Sequence, residues 1–137
     1  MRFMVIVKAN RDSEAGVMPS TEMLAAMGKF NQELAMAGVI EAGEGLHPTS
    51  KGARVKYSSG QGSVSHGPFT LSDDLVSGFW LINTKSLDEA VEWMKRAPFP
   101  AGDEIEIRQV LSAGDFGEAL TPELREQEER LRAQAKK

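Results

Sequence analysis

The stretch His66-Gly-Pro-Phe-Thr-Leu-Ser-Asp-Asp-Leu-Val-Ser-Gly-Phe-Trp-Leu-Ile-Asn-Thr84 decides how the rest of the chain is read. Its last part, Phe79-Trp80-Leu81-Ile82, is an unbroken run of large apolar residues between Gly78 and the polar Asn83-Thr84. Such a run reads as a central strand, apolar on both faces. Gly67-Pro68 removes one backbone donor and fixes one φ, so the chain turns sharply before that strand. The turn carries a histidine, an aromatic ring at Phe69 and, shortly after it, the carboxylates Asp73 and Asp74. The other segments are expected beside this strand, over it, or near its entrance.

Working toward the C-terminus, Ser86-Leu87-Asp88-Glu89 has the serine-to-glutamate spacing of a capping box. Leu87, Ala90, Val91 and Met94 then form the expected buried stripe of a helix, which Pro98 and Pro100 prevent from continuing. Glu104 to Val110 alternates as a strand, with Ile105 and Ile107 toward the helices and Glu104, Glu106 and Arg108 on the other face. Leu111 to Leu120 is a connector. Thr121-Pro122-Glu123 opens a last helix, threonine as cap and proline in the tolerated first position. Nine of the residues from 122 to 137 are charged, and Leu124 and Leu131 leave only a thin apolar stripe. That helix is either solvated or packed on a second subunit.

Toward the N-terminus, Ala53-Arg54-Val55-Lys56-Tyr57 alternates cleanly, Ser58 to Gly62 connects, and Ser63-Val64-Ser65 returns. Residues 47 to 77 therefore read as an inserted β-ribbon. Val39 to Leu46 is a strand in which Gly43 and Gly45 mark a bulge or the close approach of another backbone. Pro19-Ser20-Thr21-Glu22 opens a helix whose Met23, Met27, Phe30 and Leu34 share one face, and Gly38 ends it. Asn10 to Met18 is a polar loop. Met1 to Lys8 is the first strand, with Phe3, Val5 and Val7 on one face and Arg2, Met4, Ile6 and Lys8 on the other.

Without the ribbon, the order is strand, helix, strand, strand, helix, strand, which predicts an α+β, ferredoxin-like split βαβ fold. Residues 1–120 form one domain carrying the ribbon insertion at 47–77, and 121–137 an extra charged C-terminal helix. The helices bury Phe3, Val5, Val7, Ile105 and Ile107 but leave Met4, Ile6 and one side of Phe79 to Ile82 on an uncovered face. A two-fold homodimer closing these faces would bury them, with Arg2, Glu106 and Arg108 around a shared cavity.

Composition narrows the function. The chain has 137 residues, a formal net charge of −4 and no cysteine. An acidic balance argues against general nucleic-acid binding, and no apolar run approaches a membrane span. Without cysteine there is no disulfide frame or thiolate chemistry, so a cytoplasmic location is expected. Neither a phosphate-binding loop, a dinucleotide fingerprint nor a nucleophile elbow is present, so no cofactor is expected.

Several of these segments together resemble the YCII-related family, in particular the branch named for the tetrapeptide Asp-Gly-Pro-Phe. The matching residues are Gly67-Pro68-Phe69, Gly78-Phe79-Trp80-Leu81-Ile82, Ser86-Leu87-Asp88-Glu89-Ala90 with Trp93, Glu104-Ile105-Glu106-Ile107-Arg108, and Gly43-Glu44-Gly45-Leu46-His47-Pro48. The resemblance covers about residues 1 to 111 and implies a dimeric α+β barrel. It also implies an enzyme role for members with a histidine–aspartate pair in a cleft, one relative being described as a dehydrochlorinase of a chlorinated hydroxyquinol. A link to alternative sigma factors is implied by gene neighbourhood in the branch. The branch's first aspartate is His66 here, and Leu71 and Asp73 replace the acidic and basic residues that commonly follow the phenylalanine.

The residues that point to chemistry are His66 as acid or base, oriented by Asp73 or its neighbour Asp74, with Arg108 holding an anionic or phenolate group of a small molecule. Histidine suits proton transfer because its ordinary pKa, about 6.5, lies near neutral pH. His47 joins the group if the ribbon folds back, and Phe69 and Trp80 offer rings for stacking. Each has an ordinary structural explanation as well: turn histidines, solvated aspartates and core rings. No ligand spacing for a metal is present. The resulting expectation is lyase- or isomerase-type acid–base chemistry in a barrel cavity, with a non-catalytic ligand-binding or regulatory interaction module as the alternative.

Overall fold

The computed structural model describes residues 1–135, so Lys136 and Lys137 of the expected last helix lie outside the described residues. Four strands, β1 (Arg2–Lys8), β2 (Ile40–Gly45), β5 (Val76–Asn83) and β6 (Ile105–Gln109), form one antiparallel sheet in the order β2-β5-β1-β6. β5 and β1 are the two central strands. Helices α2 (Thr21–Met36) and α3 (Leu87–Met94) supply the two crossovers. This is the ferredoxin-like arrangement, and β3 (Ala53–Ser58) with β4 (Gln61–His66) forms a separate two-stranded ribbon between β2 and β5.

Local chemistry sets these boundaries. Ser20 Oγ accepts the Met23 amide and starts α2, and Ser86 Oγ accepts the Glu89 amide and starts α3. The Glu89 carboxylate reaches back to the amide of Lys85, one residue before the expected partner. Ser59 and Gly60, both with positive φ, make the tight two-residue turn of the ribbon, so β4 begins at Gln61, sooner than the spacing indicated.

The core is one continuous cluster. Phe3, Val5, Trp80 and Ile82 from the sheet meet Phe30, Leu34, Ala90 and Met94 from the helices. Trp80 lies edge-on between Phe30 and Phe99, at 6.0 and 5.9 Å between ring centres. Each such contact contributes roughly 0.5–1.5 kcal/mol beyond area burial. Val7, Met27, Ile105 and Ile107 pack at its margin.

Three segments depart from the sequence expectation. Leu87 is 48% exposed, because α3 turns its first residue outward and buries Ala90 and Met94 instead. The loop after β1 contains a helical turn, α1 (Arg11–Glu14), held by reciprocal bonds between Asn10 and Ser13. The connector after β6 contains a 3-10 segment, Ala113–Ala119, broken at Gly117. Beyond it, α4 (Pro122–Ala135) buries no residue.

The sheet face away from the helices carries Met4, Ile6, Phe79 and Leu81 at its centre, paired Met4 with Leu81 and Ile6 with Phe79. All four are half-buried. Glu106 and Arg108 stand beside Ile6 and Met4 on β6. Arg2, expected with them, is instead engaged by Glu41 at 2.9 Å, where β2 is irregular between Ile40 and Ala42.

Candidate functional site: a glycine-floored cleft beside Trp80

A concavity lies where β2 runs along β5. Gly43 pairs with Trp80, and a Cβ at Gly43 would come within 2.7 Å of the indole. Gly78 faces Gly45, and a Cβ there would lie 3.0 Å from the Glu44 carbonyl oxygen. The bulge or backbone approach expected at Gly43 and Gly45 is distributed otherwise: the irregularity of β2 lies between Ile40 and Ala42, Gly43 makes room for the indole, and Gly78 is the glycine that allows backbone approach.

Beside them lies a cleft of about 330 Å³ lined by Met27 and Asn31 of α2, Gly43, Glu44 and Gly45 of β2, Phe79 and Trp80 of β5, and Phe99. The indole N–H of Trp80 donates to Asn31 Oδ1 at 2.8 Å, which fixes both side chains. One wall is therefore aromatic and rigid, and Asn31 adds an amide beside it.

Of the residues singled out from sequence, Trp80 lines this cleft. Phe69 is stacked under the Arg54 guanidinium, 3.8 Å from the ring centre. His66 is exposed at the end of β4 opposite Ala53, and His47 is exposed just after β2. Asp73 is exposed, and its backbone carbonyl accepts from Lys8 Nζ at 2.8 Å. Arg108 lies on the uncovered sheet face, 3.8 Å from Glu106. Within one chain, no hydrogen bond or ion pair joins His47, His66, Asp73 and Arg108 to one another among the described residues. No three His, Asp or Glu side chains come together as a metal-binding group among them either.

Asn31 and Glu44 escaped the sequence reading. Asn31 stands four residues after Met27, where a polar residue interrupts the apolar face of α2, and that interruption was the available signal. Glu44 lies between the two glycines of β2, but nothing local shows which face it borders.

The model of the YCII-related domain matches residues 1–113. The chain belongs to the YCII-related family. The match ends before α4, so the YCII-related part is the sheet domain with its ribbon. An uncharacterized protein of Rhizobium meliloti (strain 1021) is 38% identical over 50 residues, 36% of this chain. The matched region spans 40% of that protein's length. Among solved structures, this YCII-related chain is similar to the 5-chloro-2-hydroxyhydroquinone dehydrochlorinase of Burkholderia phenoliruptrix AC1100, in complex with 2,5-dihydroxybenzoquinone. The identity is 18% and the TM-score 0.39, covering 82% of this chain and 96% of the other. No helix among the described residues is long and apolar enough to cross a membrane.

Proposed function

We propose that this YCII-related protein is a cytoplasmic homodimer that binds a small, flat, partly apolar molecule in the cleft beside Trp80. The observation that carries this reading is the cleft of about 330 Å³ beside an indole that Asn31 holds in place and that Gly43 lets lie against β2. Such a site offers apolar area for a ring and a few fixed polar groups for orientation, the usual make-up of a small-molecule pocket.

Cofactor-free acid–base turnover of lyase or isomerase type is the second reading, for which Glu44 is the acidic residue among those lining the cleft, its side chain on the Phe79 face of the sheet. His66, Asp73 and His47 take part in it only if a second copy or a bound ligand gathers them, with Arg108 holding an anionic group. Stacking at Phe69 would require displacing Arg54.

The test is a ligand-detected NMR screen of monocyclic phenols, quinones and benzoates, followed by tryptophan fluorescence titration of each hit. Saturable binding that weakens at least about tenfold in Gly43→Ala is expected, since the added methyl would lie 2.7 Å from the Trp80 indole and must displace that wall of the cleft. Binding unchanged in Gly43→Ala, or no binding by any member of the panel, overturns the assignment. Replacement of Glu44 by Gln then separates the two readings: binding without turnover in both forms leaves the sensor, and turnover lost in the variant identifies the base.

A further inference from the structure

The hydrogen-bond donors and acceptors around the Trp80 cleft do not balance, and the surplus points to the chemistry of an occupant. Three side chains lining the cleft can donate: the Trp80 indole, the Ser77 hydroxyl and the Asn31 amide. The indole N–H is given to Asn31 Oδ1 at 2.8 Å. The Ser77 hydroxyl is turned onto the backbone carbonyls of Lys8 and Val7, at 3.4 and 3.5 Å. Both donors are therefore occupied within the chain.

Asn31 is the remainder. An indole nitrogen only donates, so the oxygen of the Asn31 amide must face Trp80, and the NH2 group is left on the other side of the planar amide. No acceptor among the described residues receives either of its N–H groups. The nitrogen is not sealed away either. Among the described residues no side-chain nitrogen or oxygen is both buried and without a partner, so Asn31 Nδ2 is open to an incoming group. Around it Met27, Phe99 and the indole supply apolar walls.

Charge decides which acceptor suits this donor. Among the described residues that line the cleft, Glu44 alone is charged, and no lysine or arginine joins it. A carboxylate brought there would lose hydration without meeting a cation, which is costly, whereas a neutral carbonyl oxygen needs only an N–H donor. The volume of about 330 Å³ lies at the low end of ligand pockets, roughly 300–1,000 Å³, and limits the occupant to one or two rings.

We infer that Asn31 is the specificity-determining residue of this cleft, its free N–H groups selecting a neutral aromatic carbonyl compound, such as an aryl ketone or amide, over the matching carboxylate or hydrocarbon. The inference rests on the reading of the cleft as a small-molecule site and says which polar group the ligand carries. The ring lies along the indole, and the carbonyl oxygen accepts from Asn31 Nδ2. The bond between Asn31 and Trp80 persists in the complex, so the donor is oriented before the ligand arrives and loses little freedom on binding.

The probes are acetophenone and benzamide, compared with benzoate, toluene and aniline, and binding to the full-length protein is followed by 15N-edited NMR. Acetophenone is expected to shift the Asn31 side-chain amide resonances saturably and to bind about tenfold or more tightly than benzoate or toluene. Asn31→Asp keeps an oxygen for the indole N–H and replaces the free donors by a second oxygen. In that variant acetophenone and benzamide should weaken about tenfold or more, while aniline, which presents N–H groups, should gain. Acetophenone that weakens in Gly43→Ala but binds Asn31→Asp unchanged, or leaves the Asn31 resonances of the unmodified protein unmoved, overturns the selection by Asn31 and leaves the cleft reading standing. Benzoate bound as tightly as acetophenone overturns it as well. No saturable binding by any probe overturns both. If Asn31→Asp loses its near-ultraviolet circular dichroism, the Asn31 resonances of the unmodified protein decide: a saturable shift with acetophenone supports the inference, and none overturns it.

Discussion

Gly67 shows how a single missing Cβ fixes the position of a whole insertion. Any Cβ built there falls on the Thr49 carbonyl oxygen, and the Gly67 amide donates to the Gly52 carbonyl at 3.0 Å, so the two legs of the ribbon touch through backbone alone. Gly67→Ala must push Thr49 away and with it the bonds to Glu14 and Phe69. Overpacking of this kind costs roughly 1–3 kcal/mol. The loss should be local: hydrogen exchange should speed up at Ala53–His66 and stay unchanged in β1 and β5, and uniform exchange across both would disprove the local account. Trp80 makes the complementary case in the core. Trp80→Phe keeps a ring against Phe30 and Phe99 but removes the only indole donor to Asn31. A part-buried amide left without that partner costs about 1 kcal/mol, expected as a lowered urea midpoint at unchanged m-value. Restoration by Asn31→Leu in the Trp80→Phe background would identify the unpaired amide as the cause.

At the scale of elements, the strands and helices were legible wherever periodicity and capping agreed. β1, β5, α2 and α3 each combine an apolar face with a capping or bounding residue, and each stands where its sequence placed it. The 3-10 segment Ala113–Ala119 was not legible, because its apolar residues follow no repeat and its order comes from one cap. The Asp115 carboxylate accepts the Ser112 amide at 2.7 Å and its hydroxyl at 3.0 Å. The amide first, and then the hydroxyl, hold the Asp115 carboxyl below its ordinary value of 3.8. A carboxyl whose folded pKa is depressed stabilises fully above the unfolded pKa and loses that contribution as pH falls through the folded one. The cap should therefore stay intact down to about the ordinary carboxylate range and release below it, read as a shift of the Ser112 amide resonance in an acid titration. Asp115→Asn should flatten that transition. A Ser112 resonance that moves near neutral pH instead would show that another group governs the segment. The site was only partly legible for a related reason: Trp80 and the glycines of β2 are local signals, but the arrival of Asn31 beside Trp80 is a product of the crossover that lays α2 over the sheet.

The whole molecule leaves a strip of Met4, Ile6, Phe79 and Leu81 running across the centre of a sheet whose other face is fully used by helices. Charged groups stand at its borders: Glu44 opposite Phe79, Glu106 opposite Ile6, and Arg108 opposite Met4. That is the usual plan of an interface, with an apolar centre and a polar rim. In the proposed homodimer the strip would supply the apolar area at the two-fold axis. Ile6→Glu tests that contribution. It places a carboxylate between Phe79 and Glu106, where a closed dimer would bury it without a cation and beside a like charge. An uncompensated buried charge costs several kcal/mol, and each 1.4 kcal/mol is tenfold in affinity, so dimerisation should weaken about a hundredfold or more. The monomer should keep its near-ultraviolet circular dichroism, since Ile6 points away from the Phe3–Val5–Leu34 core. Sedimentation equilibrium over a hundredfold range of concentration measures the first expectation. A dimer of unchanged strength would mean that the strip is covered by something other than a second copy, and the burial of Phe79 and Leu81 would then need a different partner.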